Sequence, residues 1–102
     1  MLELRPNCEM CDCDLPADSP DARICSYECT FCATCVETAL HNVCPNCTGG
    51  FVPRPIRPAT ARRDGVSLTH QPASTKRRQL KYERDDIAKL VSAVRHIPPE
   101  QR

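Results

Sequence analysis

The stretch CEMCDCDLPADSPDARICSYECTFCATCVETALHNVCPNC, residues 8–47, contains all nine cysteines of this 102-residue chain. Eight of them form pairs with two or three residues between the members: Cys8 and Cys11, Cys25 and Cys29, Cys32 and Cys35, Cys44 and Cys47. A two-residue gap lets both thiolates of a pair reach one ion at about 2.3 Å, and two pairs complete a tetrahedron. The eight paired cysteines therefore predict two four-cysteine zinc sites, and Cys13 is left over.

The rest of the composition favours metal over disulfides. Leu, Ile, Val and Phe supply only 19 residues, a share normally too low to offset chain entropy with a packed core. No apolar run approaches the roughly 20 residues that cross a bilayer, and residues 1–6 carry no hydrophobic signal-peptide stretch. We therefore expect a cytoplasmic protein without membrane contact, and in that compartment grouped cysteines usually bind metal.

Charge is divided along the chain. Residues 1–50 hold two basic and eight acidic residues, a net charge of −6, whereas residues 51–102 hold twelve basic and five acidic residues, a net charge of +7. Four thiolates around one zinc ion add a further −2 at each site. The basic half could therefore bind an acidic partner or fold back on the acidic half.

The chain divides into three stretches. The cysteine module is predicted to cover residues 1–52, and residues 53–79 form a linker rich in proline and arginine that is extended or docked irregularly. An amphipathic helix is predicted over residues 80–97, with a stop at the two following prolines. Its apolar face has helical spacing and consists of Leu80, Ile87, Leu90, Val91 and Val94.

The cysteine intervals resemble those of the RING finger. Cys29-Thr-Phe-Cys32 mirrors the His-x-aromatic-Cys step of that family, with cysteine in place of the usual histidine, and Cys44-Pro-Asn-Cys47 mirrors its Cys-Pro-x-Cys ending. The runs MLELRPNCEMC and ICSYECTFCATC are also similar to a family of short uncharacterised bacterial proteins. The resemblance implies a small zinc-stabilised α+β fold of the all-cysteine, cross-brace type, in which successive pairs bind alternate ions.

This resemblance implies one ligand set for each ion. Zinc 1 takes Cys8, Cys11, Cys32 and Cys35, and zinc 2 takes Cys25, Cys29, Cys44 and Cys47. The alternative is a sequential arrangement, with Cys8, Cys11, Cys25 and Cys29 on one ion. A short helix is expected over residues 36–42, and a small apolar cluster is expected between the ions, formed by Ile24, Phe31, Val36, Leu40 and Val43.

The function expected from the resemblance is non-enzymatic protein recognition. Two sites closed by four thiolates leave no position for a catalytic water. In RING fingers a partner protein contacts positions that correspond here to Met10, Leu40 and Pro45. A role as a ligase-like partner of a ubiquitin-type conjugating enzyme is a further alternative, although the chain has no tryptophan between Cys35 and Cys44.

Four other interpretations depend on single features. The basic half contains Arg54, Arg57, Arg62, Arg63, Lys76, Arg77, Arg78, Lys81 and Arg84. These cations could bind nucleic acid weakly, because phosphates attract them without requiring a specific sequence. The apolar helix face could form a homodimer if it is exposed. Cys13 is expected to be a spare thiol or an alternate ligand near zinc 1, and Cys32 with Cys35 could alternatively form a redox pair.

Overall fold

Three short strands form one antiparallel sheet in the computed structural model, which describes residues 1–102. Strand β1 (Ala22–Ile24) lies in the centre, between β2 (Thr30–Cys32) and β3 (Val52–Pro53). Ile24 is paired with Thr30 on one side and with Val52 on the other. The loop that joins β1 to β2 carries Cys25 and Cys29, so this hairpin brings the second cysteine pair together.

A helical segment follows β2 directly. Helix α1 (Ala33–Cys35) continues into a π-helical turn (Val36–Leu40). The segment therefore begins three residues before the predicted start at residue 36. It ends at Leu40 rather than at residue 42, because His41 and Asn42 have left-handed backbone conformations with φ of 47° and 63°.

The C-terminal helix is shorter than predicted. Helix α2 (Arg84–Val94) starts four residues after Leu80, and a 3₁₀ turn (Pro99–Gln101) follows it. Leu80 lies outside the helix because its N–H donates to the carbonyl oxygen of Glu9 at 2.9 Å, which holds this part of the chain against the N-terminal loop. No helix of the protein combines the length and the apolar character needed to cross a membrane.

The core is small and contains much sulfur. Fourteen apolar residues are buried, and five of them are cysteines. Phe31, at the centre, is fully buried and meets Phe51 edge to face, with 5.4 Å between the ring centroids. Of the expected apolar cluster, Phe31, Val36, Leu40 and Val43 are buried and Ile24 is partly buried.

Helix α2 packs its apolar face on the cysteine module of the same chain. Ile87 and Val91 are 4% and 3% exposed, and Leu80 and Val94 are partly buried against the same core. Leu90 is also partly buried. Of the five residues that the sequence offers for a homodimer, two are thus buried and three are partly buried within a single chain.

The linker is fixed to the module by arginine side chains. Arg54 is buried, and its guanidinium donates to the carbonyl oxygens of Arg5 at 2.8 Å, Leu15 at 3.2 Å and Pro16 at 2.9 Å. Arg57 donates to the carbonyl oxygens of Leu2 and Gln71 at 2.7 and 2.6 Å. Residues 53–79 contain no helix, yet these contacts give them a defined path over the surface.

Candidate metal centre

The first cysteine group joins the N-terminal loop to the end of β2. The sulfur atoms of Cys8, Cys11, Cys13 and Cys32 all lie within 4.8 Å of one another. The Sγ atoms of Cys11 and Cys32 are 3.8 Å apart. Cys35 is not one of these four, although its N–H donates to Cys32 Sγ at 3.4 Å. This group could hold one metal ion, and it contains three of the four cysteines assigned to zinc 1 together with Cys13.

The second cysteine group joins the β1–β2 loop to the loop that precedes β3. The sulfur atoms of Cys25, Cys44 and Cys47 all lie within 4.8 Å of one another. Cys29 is not one of these three, but it lies in the same loop as Cys25, whose N–H donates to the Cys29 carbonyl oxygen at 3.2 Å. Three of the four cysteines assigned to zinc 2 by resemblance are thus brought together.

Two loops present their cysteines in the same way. In the first, the Cys8 N–H donates to the Cys13 carbonyl at 2.9 Å, and the Asp12 N–H donates to the Cys8 carbonyl at 2.9 Å. In the second, Cys44 donates to Gly49 at 2.8 Å and Thr48 donates to Cys44 at 2.7 Å. This repeated turn brings both sulfurs of a Cys-x-x-Cys pair to one side of the loop.

A left-handed residue closes each of these turns. Asp12 has a φ of 66° and Thr48 a φ of 68°. Neither residue is a glycine, so each such conformation costs on the order of 1 kcal/mol or more and needs compensation from its surroundings. A metal ion bound by the pair would supply that compensation.

Backbone N–H groups point at the sulfur atoms of both groups. The N–H of Cys11 donates to Cys8 Sγ at 3.5 Å, the N–H of Cys35 to Cys32 Sγ at 3.4 Å, and the N–H of Gly49 to Cys47 Sγ at 3.4 Å. Such donors stabilise a thiolate more than a thiol, because hydrogen bonds to the charged form favour ionisation. Thiolates are the form of cysteine that binds metal.

The pKa values of the thiols diverge within each group. Hydrogen bonds from Cys29 and Cys44 lower the pKa of Cys25 to about 4. Hydrogen bonds with Cys25 and Cys29, together with burial, raise the pKa of Cys44. Burial works to raise the pKa of Cys11, but hydrogen bonds from the backbone and thiol of Cys13 outweigh it and lower that pKa to about 7. In each group the pKa of one thiol is thus lowered while that of a neighbouring thiol is raised.

Cys13 belongs to the first group, although the pairing of cysteines in the sequence gives it no partner. Burial and a hydrogen bond with Cys11 raise the pKa of Cys13 to about 12. The carboxylates on either side of Cys13 are paired with Arg77, which reaches Asp12 at 2.9 Å and Asp14 at 2.7 Å. The only sequence signal for this placement is the one-residue gap between Cys11 and Cys13.

Residues 1–57 match the family described as "Protein of unknown function (DUF1272)". The chain belongs to the DUF1272 family. Over 77 residues it is 60% identical to an uncharacterized protein of Rhizobium meliloti (strain 1021), an alignment that covers 76% of this chain and 84% of the relative. No solved structure matches the chain.

The segment that matches the DUF1272 family extends past the predicted module boundary at residue 52. It includes β3 together with Arg54 and Arg57. Because these arginines hold the carbonyls of residues 2, 5, 15 and 16, they belong physically to the module. The matched segment thus includes the two arginines that fasten the linker to the N-terminal region.

The residues expected to contact a partner are largely covered in this member of the family. Leu40 and Pro45 are buried, and Met10 is partly buried. Met10 lines a cleft of about 210 Å³ together with Leu80 and Ile87 of the C-terminal part. Of the three positions that the RING resemblance gives for partner contact, Met10 thus keeps the most exposed surface, in a cleft that the C-terminal segment also lines.

Much of the basic half is used inside the molecule. Arg54 and Arg57 bind backbone carbonyls, Arg77 pairs with Asp12 and Asp14, and Arg78 reaches Glu3 at 3.2 Å. Four of the nine cations considered for nucleic-acid binding are thus engaged by the acidic module. The basic half of the chain therefore folds back on the acidic half, and part of their opposite charge is neutralised within one molecule.

Proposed function

We propose that this chain is a non-enzymatic zinc-binding module, in which two zinc ions hold the fold together and the surface around them recognises a protein partner. The observation that supports zinc binding is the pair of thiol groups built on the same turn, each with backbone N–H groups directed at sulfur. Sites of four thiolates are typical of structural zinc, which leaves no open position for catalysis.

The ligand sets that we propose follow the alternating scheme. Zinc 1 is bound by Cys8, Cys11, Cys32 and Cys35, with Cys13 as an alternate fourth ligand. Zinc 2 is bound by Cys25, Cys29, Cys44 and Cys47. Two placements support this scheme over a sequential one: the sulfur of Cys32 lies with those of Cys8 and Cys11, and the sulfur of Cys25 lies with those of Cys44 and Cys47.

Two interlocked ions would stabilise a chain whose apolar core is small. Zinc binding in isolated fingers is worth about 10 to 16 kcal/mol, and in such proteins it is folding free energy. This is as large as the whole stability of a typical domain, about 5 to 15 kcal/mol. The zinc role that we propose is therefore structural.

Protein recognition would use apolar side chains that remain exposed beside the second site. Tyr27 lies between Cys25 and Cys29 and is 73% exposed. Val52 and Ile56 are each 59% exposed, and Val52 is paired with the last residue of β1, next to the same loop. An exposed aromatic residue accompanied by aliphatic ones is the composition of a protein contact.

Metal analysis tests the zinc sites. Protein purified without chelator should contain two zinc ions per chain, and cobalt substitution should give the absorption of tetrahedral thiolate coordination. The variant Cys44→Ser should lose one ion, whereas Cys13→Ser should retain both. Metal-free protein, or disulfides between the paired cysteines, would contradict the proposal.

A matched pair of tyrosine variants tests the recognition surface. Partners captured from native lysate by the zinc-loaded protein should be lost with Tyr27→Ala and retained with Tyr82→Ala, because both tyrosines are exposed but only Tyr27 lies on the proposed surface. Both variants should keep two zinc ions. Capture that is the same for both variants would refute this location of the surface.

The two alternative functions have less support from the geometry. A ligase-like role needs the surface of Met10, Leu40 and Pro45, which is largely covered. Nucleic-acid binding by the whole basic half would need the four arginines that already have partners within the chain. Neither alternative is therefore preferred.

A further inference from the structure

The largest groove on the surface lies beside the second cysteine group and has a volume of about 540 Å³. Its lining is strongly charged. Four cations and one acidic residue line it: Arg5, Lys76, Arg78, Lys81 and Glu9. The remaining lining residues are Cys29, Asn46, Gln79 and Tyr82. A polar groove of this size, within the range of small-molecule sites, would suit a charged ligand.

The wall that carries these cations is fixed in place. The side-chain amide of Asn7 donates to the carbonyl oxygen of Arg78 at 2.8 Å, and its oxygen accepts from the N–H of Arg78 at 3.2 Å. Two residues further on, the N–H of Leu80 donates to the carbonyl oxygen of Glu9. Asn7 is fully buried, so this attachment is protected from water. The groove is therefore preformed rather than a gap beside a free chain end.

Two of the four cations have no counter-ion. Arg5 pairs with Glu3 and Glu9, each at 3.0 Å, and Arg78 pairs with Glu3 at 3.2 Å. Neither Lys76 nor Lys81 has a carboxylate within 4.0 Å, and both side chains belong to exposed residues. Two free ammonium groups in one groove match the charge of a phosphate group.

The groove also contains a surface for a planar ring. Tyr82 is 52% exposed and stands one residue after Lys81. An aromatic side chain stacks on nucleobases of any kind. The amide of Asn46, between the two cysteines of the last pair, adds a hydrogen-bond donor and an acceptor to the lining.

We propose that this groove binds a phosphorylated small molecule of nucleotide size, with its phosphates between Lys76 and Lys81 and its ring against Tyr82. The site shares only one wall with the second metal group and does not depend on the zinc role proposed above. A competing explanation of the two lysines is that they only offset the negative charge of a zinc–thiolate centre. The experiment below separates these roles.

Calorimetric titration of the zinc-loaded full chain at low salt should detect binding of ATP and, more weakly, of inorganic pyrophosphate, with none of adenosine. Lys76→Gln with Lys81→Gln should weaken ATP about tenfold, the effect of losing charge-assisted hydrogen bonds. Arg62→Gln with Arg63→Gln removes the same charge elsewhere on the surface and should leave the affinity unchanged. Tyr82→Ala should weaken ATP but not pyrophosphate.

Zinc content is measured for every variant alongside the titrations. Unchanged zinc with lost ATP binding supports the proposal, whereas lost zinc in the lysine variant would assign the lysines to the metal centre and overturn it. Absence of ATP and pyrophosphate binding, or equal weakening in the two double variants, would also overturn it. If single-stranded oligonucleotides bind more tightly as their length increases, the ligand of the groove is nucleic acid, and the proposal of a small ligand is overturned.

Discussion

Substitution of Arg54 tests how the segment that follows the cysteine module is held against that module. Its side chain is 4% exposed and has no carboxylate partner, and it donates to three backbone carbonyls from two separate parts of the N-terminal region. Burial lowers the pKa of this arginine, because removing the guanidinium from water disfavours its charge. The three carbonyl oxygens must therefore compensate for desolvation of the ion.

The structure allows the effect of Arg54→Met to be estimated. A hydrogen bond to a charged group contributes about 1.5 to 3 kcal/mol, so three bonds give about 4.5 to 9 kcal/mol before desolvation is subtracted. Desolvation of a buried ion costs several kcal/mol. The substitution leaves the carbonyls of Arg5 and Leu15 with fewer donors, and we expect the free energy of unfolding to fall by about 3 kcal/mol or more.

The measurement is urea unfolding followed by far-ultraviolet circular dichroism at a fixed free zinc concentration, because bound ligand shifts apparent stability. Arg62→Met is the matched control, since Arg62 is exposed and has no side-chain partner. Arg54→Lys should be intermediate, because an ammonium keeps the charge without the planar fork that reaches three acceptors. An unfolding midpoint for Arg54→Met equal to that of Arg62→Met would refute the reasoning.

Three further outcomes are expected. Removal of zinc by a chelator, with reductant present, should collapse the NMR chemical-shift dispersion of residues 8–47, which zinc but not magnesium should restore; an unchanged spectrum would contradict a metal-dependent fold. Val91→Asp places a carboxylate at a position that is 3% exposed, so hydrogen-exchange protection of helix α2 should fall by about 3 kcal/mol, whereas Ser92→Asp on the exposed side should leave it intact. The hydrogen bond from Arg5 lowers the pKa of Glu3 below its ordinary 4.5. Because this folded-state pKa is depressed, the pair adds stability above pH 4.5 that is lost as pH falls through the folded pKa, and a carbon-13 titration should show the pKa returning toward 4.5 in Arg5→Gln.

Cysteine spacing predicts much of the candidate site. The intervals identify four pairs, and the structure brings six of the eight paired cysteines, together with Cys13, into two groups that could bind metal. Spacing does not reveal the place of Cys13, because a one-residue gap is compatible with a thiol turned toward the group or away from it. The turn around Asp12 decides between these, since its left-handed backbone leaves the Cys13 sulfur within 4.8 Å of its neighbours.

The C-terminal half was harder to predict because its interactions are long-range. Apolar spacing indicates a helix, and helix α2 exists, but its start depends on Leu80 binding the backbone of Glu9, which is 71 residues away along the chain. Likewise, the apolar face is visible in the sequence, whereas its partner is not. The cysteine module that covers Ile87 and Val91 becomes a surface only after the chain has folded.

By itself, the sequence determined that the cysteines must contribute much of the stabilisation that a larger apolar core gives to other folds, since so few aliphatic residues accompany nine cysteines. It also determined the division of charge into an acidic and a basic half, and the existence of the C-terminal helix. Only the tertiary structure decided which arginines are buried, because Arg54 and Arg63 are alike in sequence and differ only in the carbonyls they can reach. It also decided that the helix face is occupied and that Lys76 and Lys81 share one groove, because such contacts depend on distances in space rather than along the chain.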